Sequence, residues 1–258
     1  MESWPPKWLT PVPEDALTSS YGIRTSDFID TFATVTKDSV GGRAGEPMRL
    51  RPWQRNLLTH AFAADGDGFR SRVNLVGVPR KNGKSALASG VALWSLLTGP
   101  KGGEVYSCAA DKDQARIVFG EAKKMLENEP ELAELAKVYR DAVEIPSTGS
   151  VYRVLSAEAF TKEGLSPTMV IFDELHAQPT RELFDVMQLA QGARGNMATM
   201  LCITTAGQKS DKNGQDSIAY NLYQYGQKVS RGEIDDPSFF MAWWAADHES
   251  DFRDPATW

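Results

Sequence analysis

Lys84 and Ser85 carry the clearest chemistry in this chain, at the end of the string Val76-Gly77-Val78-Pro79-Arg80-Lys81-Asn82-Gly83-Lys84-Ser85. An apolar strand-like run, Val73 to Val76, leads in, and a helical pattern from Ser85 to Leu97 comes after it. Gly-Lys-Ser at a strand-to-helix turn is a phosphate cradle, because backbone N–H groups and the helix N-terminus face the phosphates. Lys84 supplies a mobile positive charge for β- and γ-phosphates, and the Ser85 hydroxyl a ligand for Mg2+. The loop departs from G-x-x-x-x-G-K-S/T: Val78 stands where the first glycine belongs, and Gly77 is one place early. Gly and Ser also suit an ordinary helix start, so the loop gains its meaning from two apolar runs further along the chain.

Thr168-Met169-Val170-Ile171-Phe172 is a β-branched and apolar run that ends in Asp173-Glu174. Such runs are strands buried on both faces of a parallel sheet. Open α/β sheets bind ligands at the carboxyl ends of their strands. There Asp173 is placed for the Mg2+ shell, and Glu174 to orient or deprotonate an attacking water. A third run, Met200 to Thr204, continues into Thr205-Ala206-Gly207. In additional-strand phosphate-loop ATPases a strand of this kind lies between the other two, and its terminal polar residue senses the γ-phosphate. Thr204 and Thr205 hold that position.

These residues need a sheet to position them. Strand-like runs at Val73–Val76, Glu104–Ala110, Ser150–Ser156, Thr168–Phe172, Met200–Thr204 and Phe239–Ala245 alternate with helical patterns. The helices are expected from Arg51, at Ser85–Leu97, after an Asp111 cap, at Arg181–Gln191 and at Ser217–Lys228. Pro52 suits the first turn of its helix. The pattern predicts an α/β fold with a mostly parallel, doubly wound sheet. Residues 1 to about 22 read as a Pro- and Trp-rich extended arm, and Ser26 to Lys37 as a helix. The division expected is an N-terminal arm and helix over 1–47 and a phosphate-loop domain over 48–258. The chain's end at Trp258, with no closing element, suggests a domain of a longer protein.

Composition bounds the partners. The 258 residues are 41% hydrophobic and 24% charged, with a net charge of −6. A passive nucleic-acid coat is usually basic, so any DNA contact must be local. Cys108 and Cys202 lie in apolar runs and read as buried free thiols. His60, His176 and His248 are scattered, without zinc-ligand spacing. No signal-peptide pattern opens the chain, and its longest apolar stretch is too short for a bilayer span.

With these residues placed, the chain resembles the ATPase domain of tailed-bacteriophage large terminase subunits. The loop Pro79 to Ser85 is similar to that family's deviant phosphate loop, which carries an internal arginine. Asp173-Glu174 resembles its paired acids, and Thr204-Thr205-Ala206-Gly207 its coupling motif. Leu50-Arg51-Pro52-Trp53-Gln54 is similar to its adenine-recognition segment. The Asp113-Gln114-Ala115 helix start is familiar there too.

The resemblance implies an additional-strand phosphate-loop NTPase that uses ATP and Mg2+ to drive double-stranded DNA into a procapsid in the host cytoplasm. It implies a homo-oligomeric ring on the portal protein, monomeric in isolation, a small terminase subunit as partner, and no membrane. Gln54 would pair both edges of adenine through its amide. Arg80 would neutralise γ-phosphate charge as an arginine finger does; Lys81, Asn82 and Gly83 complete the loop around nucleotide. Arg153 and Lys162 are candidates for a finger given to a neighbouring subunit. The family's nuclease domain is not expected in these residues. A helicase-like ATPase, suggested by Asp173-Glu174-Leu175-His176, and a non-catalytic scaffold are the competing readings.

Overall fold

In a computed structural model, the described residues are 4–39, 42–156, 164–210, 213–246, 250–251 and 253–254. The chain begins with β1 (Trp8–Leu9), α1 (Glu14–Thr18), α2 (Tyr21–Phe32) and α3 (Pro52–Ala61). A small hairpin, β2 (Ala64–Asp65) and β3 (Gly68–Phe69), leads to β4 (Val73–Gly77), α4 (Lys84–Thr98) and β5 (Glu104–Ala109). Next come α5 (Lys112–Asn128), α6 (Pro130–Ala133), β6 (Lys137–Val138), β7 (Ala142–Ile145) and β8 (Ser150–Ser156). The last elements are β9 (Met169–Asp173), α7 (Glu182–Ala190), β10 (Thr199–Thr204), α8 (Ile218–Ser230) and β11 (Phe239–Trp243).

The main sheet has the order β1-β11-β4-β10-β9-β5-β8-β7-β6. Its six central strands are parallel; β1 pairs antiparallel with β11 at one edge, and at the other β7 pairs antiparallel with β8 and β6 with β7. The expected doubly wound sheet is therefore present, with β10 between β4 and β9 as in the additional-strand arrangement. Each central strand alternates its side chains between two cores. Val76, Ile171, Ile203 and Ala242 face one core with α2 to α5, while Leu75, Phe172, Cys202 and Met241 face the other with α7 and α8. A strand covered on both faces is mostly apolar, and Asn74, the buried polar residue within β4, donates to Thr199 Oγ1 and Met200 O of β10.

The N-terminal part differs from the sequence expectation. The arm contains an edge strand, β1, paired with β11 through Trp8↔Trp243 and Leu9↔Ala242, and a helical turn, α1. The helix expected over 26–37 instead spans Tyr21–Phe32, because Ser20 caps it by accepting from the Gly22 N–H. That cap and the contact of Ser20 Oγ with Phe62 O fix the start five residues early. The antiparallel β7–β6 edge was also not anticipated; its side chains alternate between partial and full burial in β7, a pattern short enough to pass for a loop. Other bounds agree within two residues. Asp111 caps α5 by accepting from Gln114 N–H at 2.8 Å, and Ser217 caps α8. Cys108 and Cys202 are free and buried, and burial pushes both thiols up. No helix among the described residues is long and apolar enough to cross a membrane.

Candidate active site

Strand register brings the candidate residues to one edge. Thr204 of β10 pairs with Gly77 of β4, and Ile203 with Asp173 of β9, so all three strands end together. Beyond β4 the chain turns through Val78–Gly83 and starts α4 at Lys84, with Gly83 in the left-handed region at φ 72°. Lys81 also has a positive φ, 66°, a conformation uncommon for a residue with a Cβ. Val78 N–H donates to Thr204 O at 3.0 Å, and Asn82 Nδ2 donates to Pro79 O at 3.1 Å. The loop is thus tied both to β10 and to itself. Gly77, one place early for the usual loop glycine, has a packing role: a Cβ there would sit 2.1 Å from the Trp243 ring.

Two contacts join the loop to the acidic strand end. Ser85 Oγ donates to Asp173 Oδ2 at 3.1 Å, and Lys84 Nζ donates to Glu174 Oε1. Burial pushes the Asp173 carboxyl above its usual range, and the Glu174 charge adds to that. Glu174 itself lies in the left-handed region at φ 53°, a costly conformation for a side chain with a Cβ. Its Oε2 is buried and makes no hydrogen bond.

Around Glu174 stands a residue to which sequence reasoning gave no role in this fold. His176 Nδ1 lies 3.2 Å from Glu174 Oε2, outside hydrogen-bond alignment, and 2.9 Å from Thr204 Oγ1. His176 N–H also donates to Thr204 Oγ1, at 3.2 Å, and that hydroxyl donates to Thr205 O at 3.0 Å. Burial lowers the His176 pKa and outweighs the Glu174 charge that raises it, so the ring is neutral at pH 7. Asp-Glu-x-His was visible in the sequence, but the contact with Thr204 depends on register between strands.

Among the remaining candidates, Gln54 is buried at the start of α3; its Oε1 accepts from Arg51 N–H at 2.9 Å, and its Nε2 is the nearest neighbour to a Cβ built on Gly83. Arg80 and Lys81 are exposed at the loop's tip, and the Arg80 charge reaches His176. Thr205 Oγ1 is buried without a partner, whereas the Thr204 hydroxyl is engaged. Arg153 lies on β8, which three strands separate from β4, away from this edge. Lys162 and His248 fall outside the described residues.

The donor set fits Mg2+. That ion takes one or two protein oxygens and leaves its other positions to phosphates and water. Ser85 Oγ and Asp173 Oδ2 are adjacent hard oxygens, and the Asp173 carboxyl is buried. No group of three or more His, Cys, Asp or Glu able to hold a metal by itself occurs among the described residues.

The family model described as terminase large subunit, ATPase domain, matches residues 52–227. The large terminase subunit of Enterobacteria phage HK97 is 32% identical over 198 residues, covering 74% of this chain and 38% of that protein. That of Lactococcus phage p2 is 25% identical over 228 residues, covering 83% and 40%. The chain therefore spans less than half the length of these curated relatives. The crystal structure of the HK97 large terminase superimposes with a TM-score of 0.75 at 26% identity, covering 93% of this chain and 47% of that one. A Thermus phage P74-26 large terminase ATPase domain shares the fold, with a TM-score of 0.53 at 21% identity over 68% of this chain and 76% of that one. With Gln54, the phosphate loop, the paired acids and the Thr204 strand all inside the matched span, the chain belongs to the family of terminase large-subunit ATPase domains.

Proposed function

We propose that this chain binds ATP with Mg2+ and hydrolyses it to drive double-stranded DNA into a viral procapsid. The observation that carries the reading is the pair of contacts Lys84–Glu174 and Ser85–Asp173, which join loop and acids at the sheet edge. Backbone N–H groups at the start of α4 and the Lys84 ammonium receive the β- and γ-phosphates. As Lys84 turns to phosphate, it leaves Glu174. The freed carboxylate then orients a water and accepts its proton as the water oxygen attacks the γ-phosphorus and the bond from that phosphorus to the β,γ-bridging oxygen breaks, releasing ADP and phosphate. Ser85 and Asp173 would hold Mg2+, which would neutralise charge developing on the phosphates. Arg80, exposed beside the site, adds a guanidinium to the same charge. Thr205, whose hydroxyl has no partner, is better suited than Thr204 to contact the γ-phosphate. Gln54 recognises adenine beside the loop.

The motor reading extends to partners: DNA, a portal protein, a small terminase subunit and further copies of this chain in a ring, all in the host cytoplasm. Net charge of −6 supports DNA held by an assembly rather than by one subunit. Arg153, exposed and remote from its own phosphate loop, remains the candidate finger for a neighbour's site. The test of the chemistry is Glu174→Gln. Equilibrium ATP binding should persist while turnover falls about a hundredfold or more, the usual scale for losing a general base. Lost affinity with an unchanged rate would reassign the two acids.

A further inference from the structure

We propose that His176 is a positioning residue that links the Glu174 carboxylate to the end of β10 by sharing its Nδ1 proton between Glu174 and Thr204. The inference rests on Glu174 acting as the base of the site described above. Three features place the ring. Nδ1 is 2.9 Å from Thr204 Oγ1 and 3.2 Å from Glu174 Oε2. The Thr204 hydroxyl has one proton, which it gives to Thr205 O, so it accepts from His176. A bare Nδ1 would also set its lone pair against a carboxylate oxygen; the proton is therefore assigned to Nδ1. Gly207 permits the approach, since a Cβ at that position would lie 2.4 Å from His176 Cβ.

These contacts close a circuit. Thr204 O holds the phosphate loop through Val78 N–H, and Thr204 Oγ1 holds His176. His176 faces Glu174, and Glu174 pairs with Lys84 at the start of α4. While Lys84 occupies Oε1, Glu174 Oε2 has no hydrogen bond and the Nδ1 proton is directed at Thr204. Once Lys84 moves to phosphate, the Glu174 carboxylate loses its cation, and Nδ1–H is the neighbouring donor able to hold it in place. That shift releases the Thr204 hydroxyl, so occupation of the loop is reported to the end of β10. No covalent step is involved, and the proton stays on Nδ1.

The test compares His176→Phe, which keeps a ring against Gly207 without a donor, with His176→Asn, whose amide N–H stands in the Nδ1 position. Both are made in the 258-residue chain. A hydrogen bond to a charged group sets the expected effect: His176→Phe should lower kcat about tenfold to a hundredfold. Nucleotide Kd should stay within about threefold, as expected when only a transition-state contact is lost. His176→Asn should recover most of the rate. Thr204→Val combined with His176→Phe should be no slower than His176→Phe alone, because the two residues act as one unit. Unchanged kcat in His176→Phe, or an equal loss in His176→Asn, would overturn the proposal, as would fully additive effects in the double variant. Thermal melting checks folding; if His176→Phe does not fold, the single variants His176→Asn and Thr204→Val decide, the first keeping its rate and the second losing it. Glu174→Gln is measured alongside. A wild-type rate there would overturn the reading of the base itself, whereas a slow Glu174→Gln beside a fast His176→Phe would overturn the positioning role alone.

Discussion

Lys84 Nζ is bonded to Glu174 Oε1, although the two residues are 90 positions apart in the chain. The proposed phosphate-binding cation and the proposed base form an ion pair. The Lys84 side chain is nearly buried and Glu174 about one-third exposed, so the pair is more than a surface contact but is screened on the carboxylate side.

Lys84→Ala should therefore abolish nucleotide binding or weaken it severely, because the loop keeps its N–H groups but loses its mobile cation. Equilibrium binding of ATP in the presence of Mg2+ is the measurement. ATP affinity and turnover equal to those of the unaltered chain would remove the phosphate loop from the mechanism.

Gln54→Ala should have two separable effects. Its Oε1 closes the first turn of α3 on Arg51 N–H, so the variant should lose about 1 kcal/mol of stability, the ordinary cost of a lost cap. Its Nε2 lies beside Gly83, so selectivity for ATP over GTP should fall as well. Competition binding with GTP reads the second effect independently of denaturant unfolding. Unaltered selectivity would leave Gln54 with a capping role only.

Gly77→Ala tests the packing account of that glycine. A methyl group would overlap the Trp243 ring, and overpacking of this kind costs about 1–3 kcal/mol. Chemical denaturation should show a lower midpoint with an unchanged slope. Wild-type stability would mean that Gly77 is there for the loop and not for the sheet.

Asp141 gives the chain a pH signature away from the site. Its hydrogen bonds with Arg116, then with Lys112, lower its pKa to about 2. A carboxylate depressed in the folded state contributes stability above its unfolded pKa of about 3.9, and loses that contribution as pH falls through the folded value. The group is largely solvated, so the contribution is screened and small. Asp141→Asn should flatten the fall of melting temperature between about pH 4 and 2 relative to the unaltered chain. Identical acid profiles for the two proteins would show that the contacts with Arg116 and Lys112 add no stability.

The local patterns of residues were enough to determine the elements around the site. Unbroken apolar runs ending in Asp173-Glu174 and Thr204-Thr205 specify strands buried on both faces, because a solvated face would have required alternating polar residues. Gly83-Lys84-Ser85 after such a run specifies a strand-to-helix turn, and Asp111 and Ser217 mark helix starts through their own side chains. Tertiary structure decided what depends on register and on contacts between distant segments. Ser20 started α2 early because Phe62 O was available to its hydroxyl, and Trp8–Leu9 became a strand because β11 offered an open edge. Gly77 is explained by Trp243, a neighbour far along the chain, and His176 by a hydroxyl on β10. Neither partner is visible in the spacing along the chain. Strand order alone puts β10 between β4 and β9, and that order allows one histidine to touch both the proposed base and Thr204.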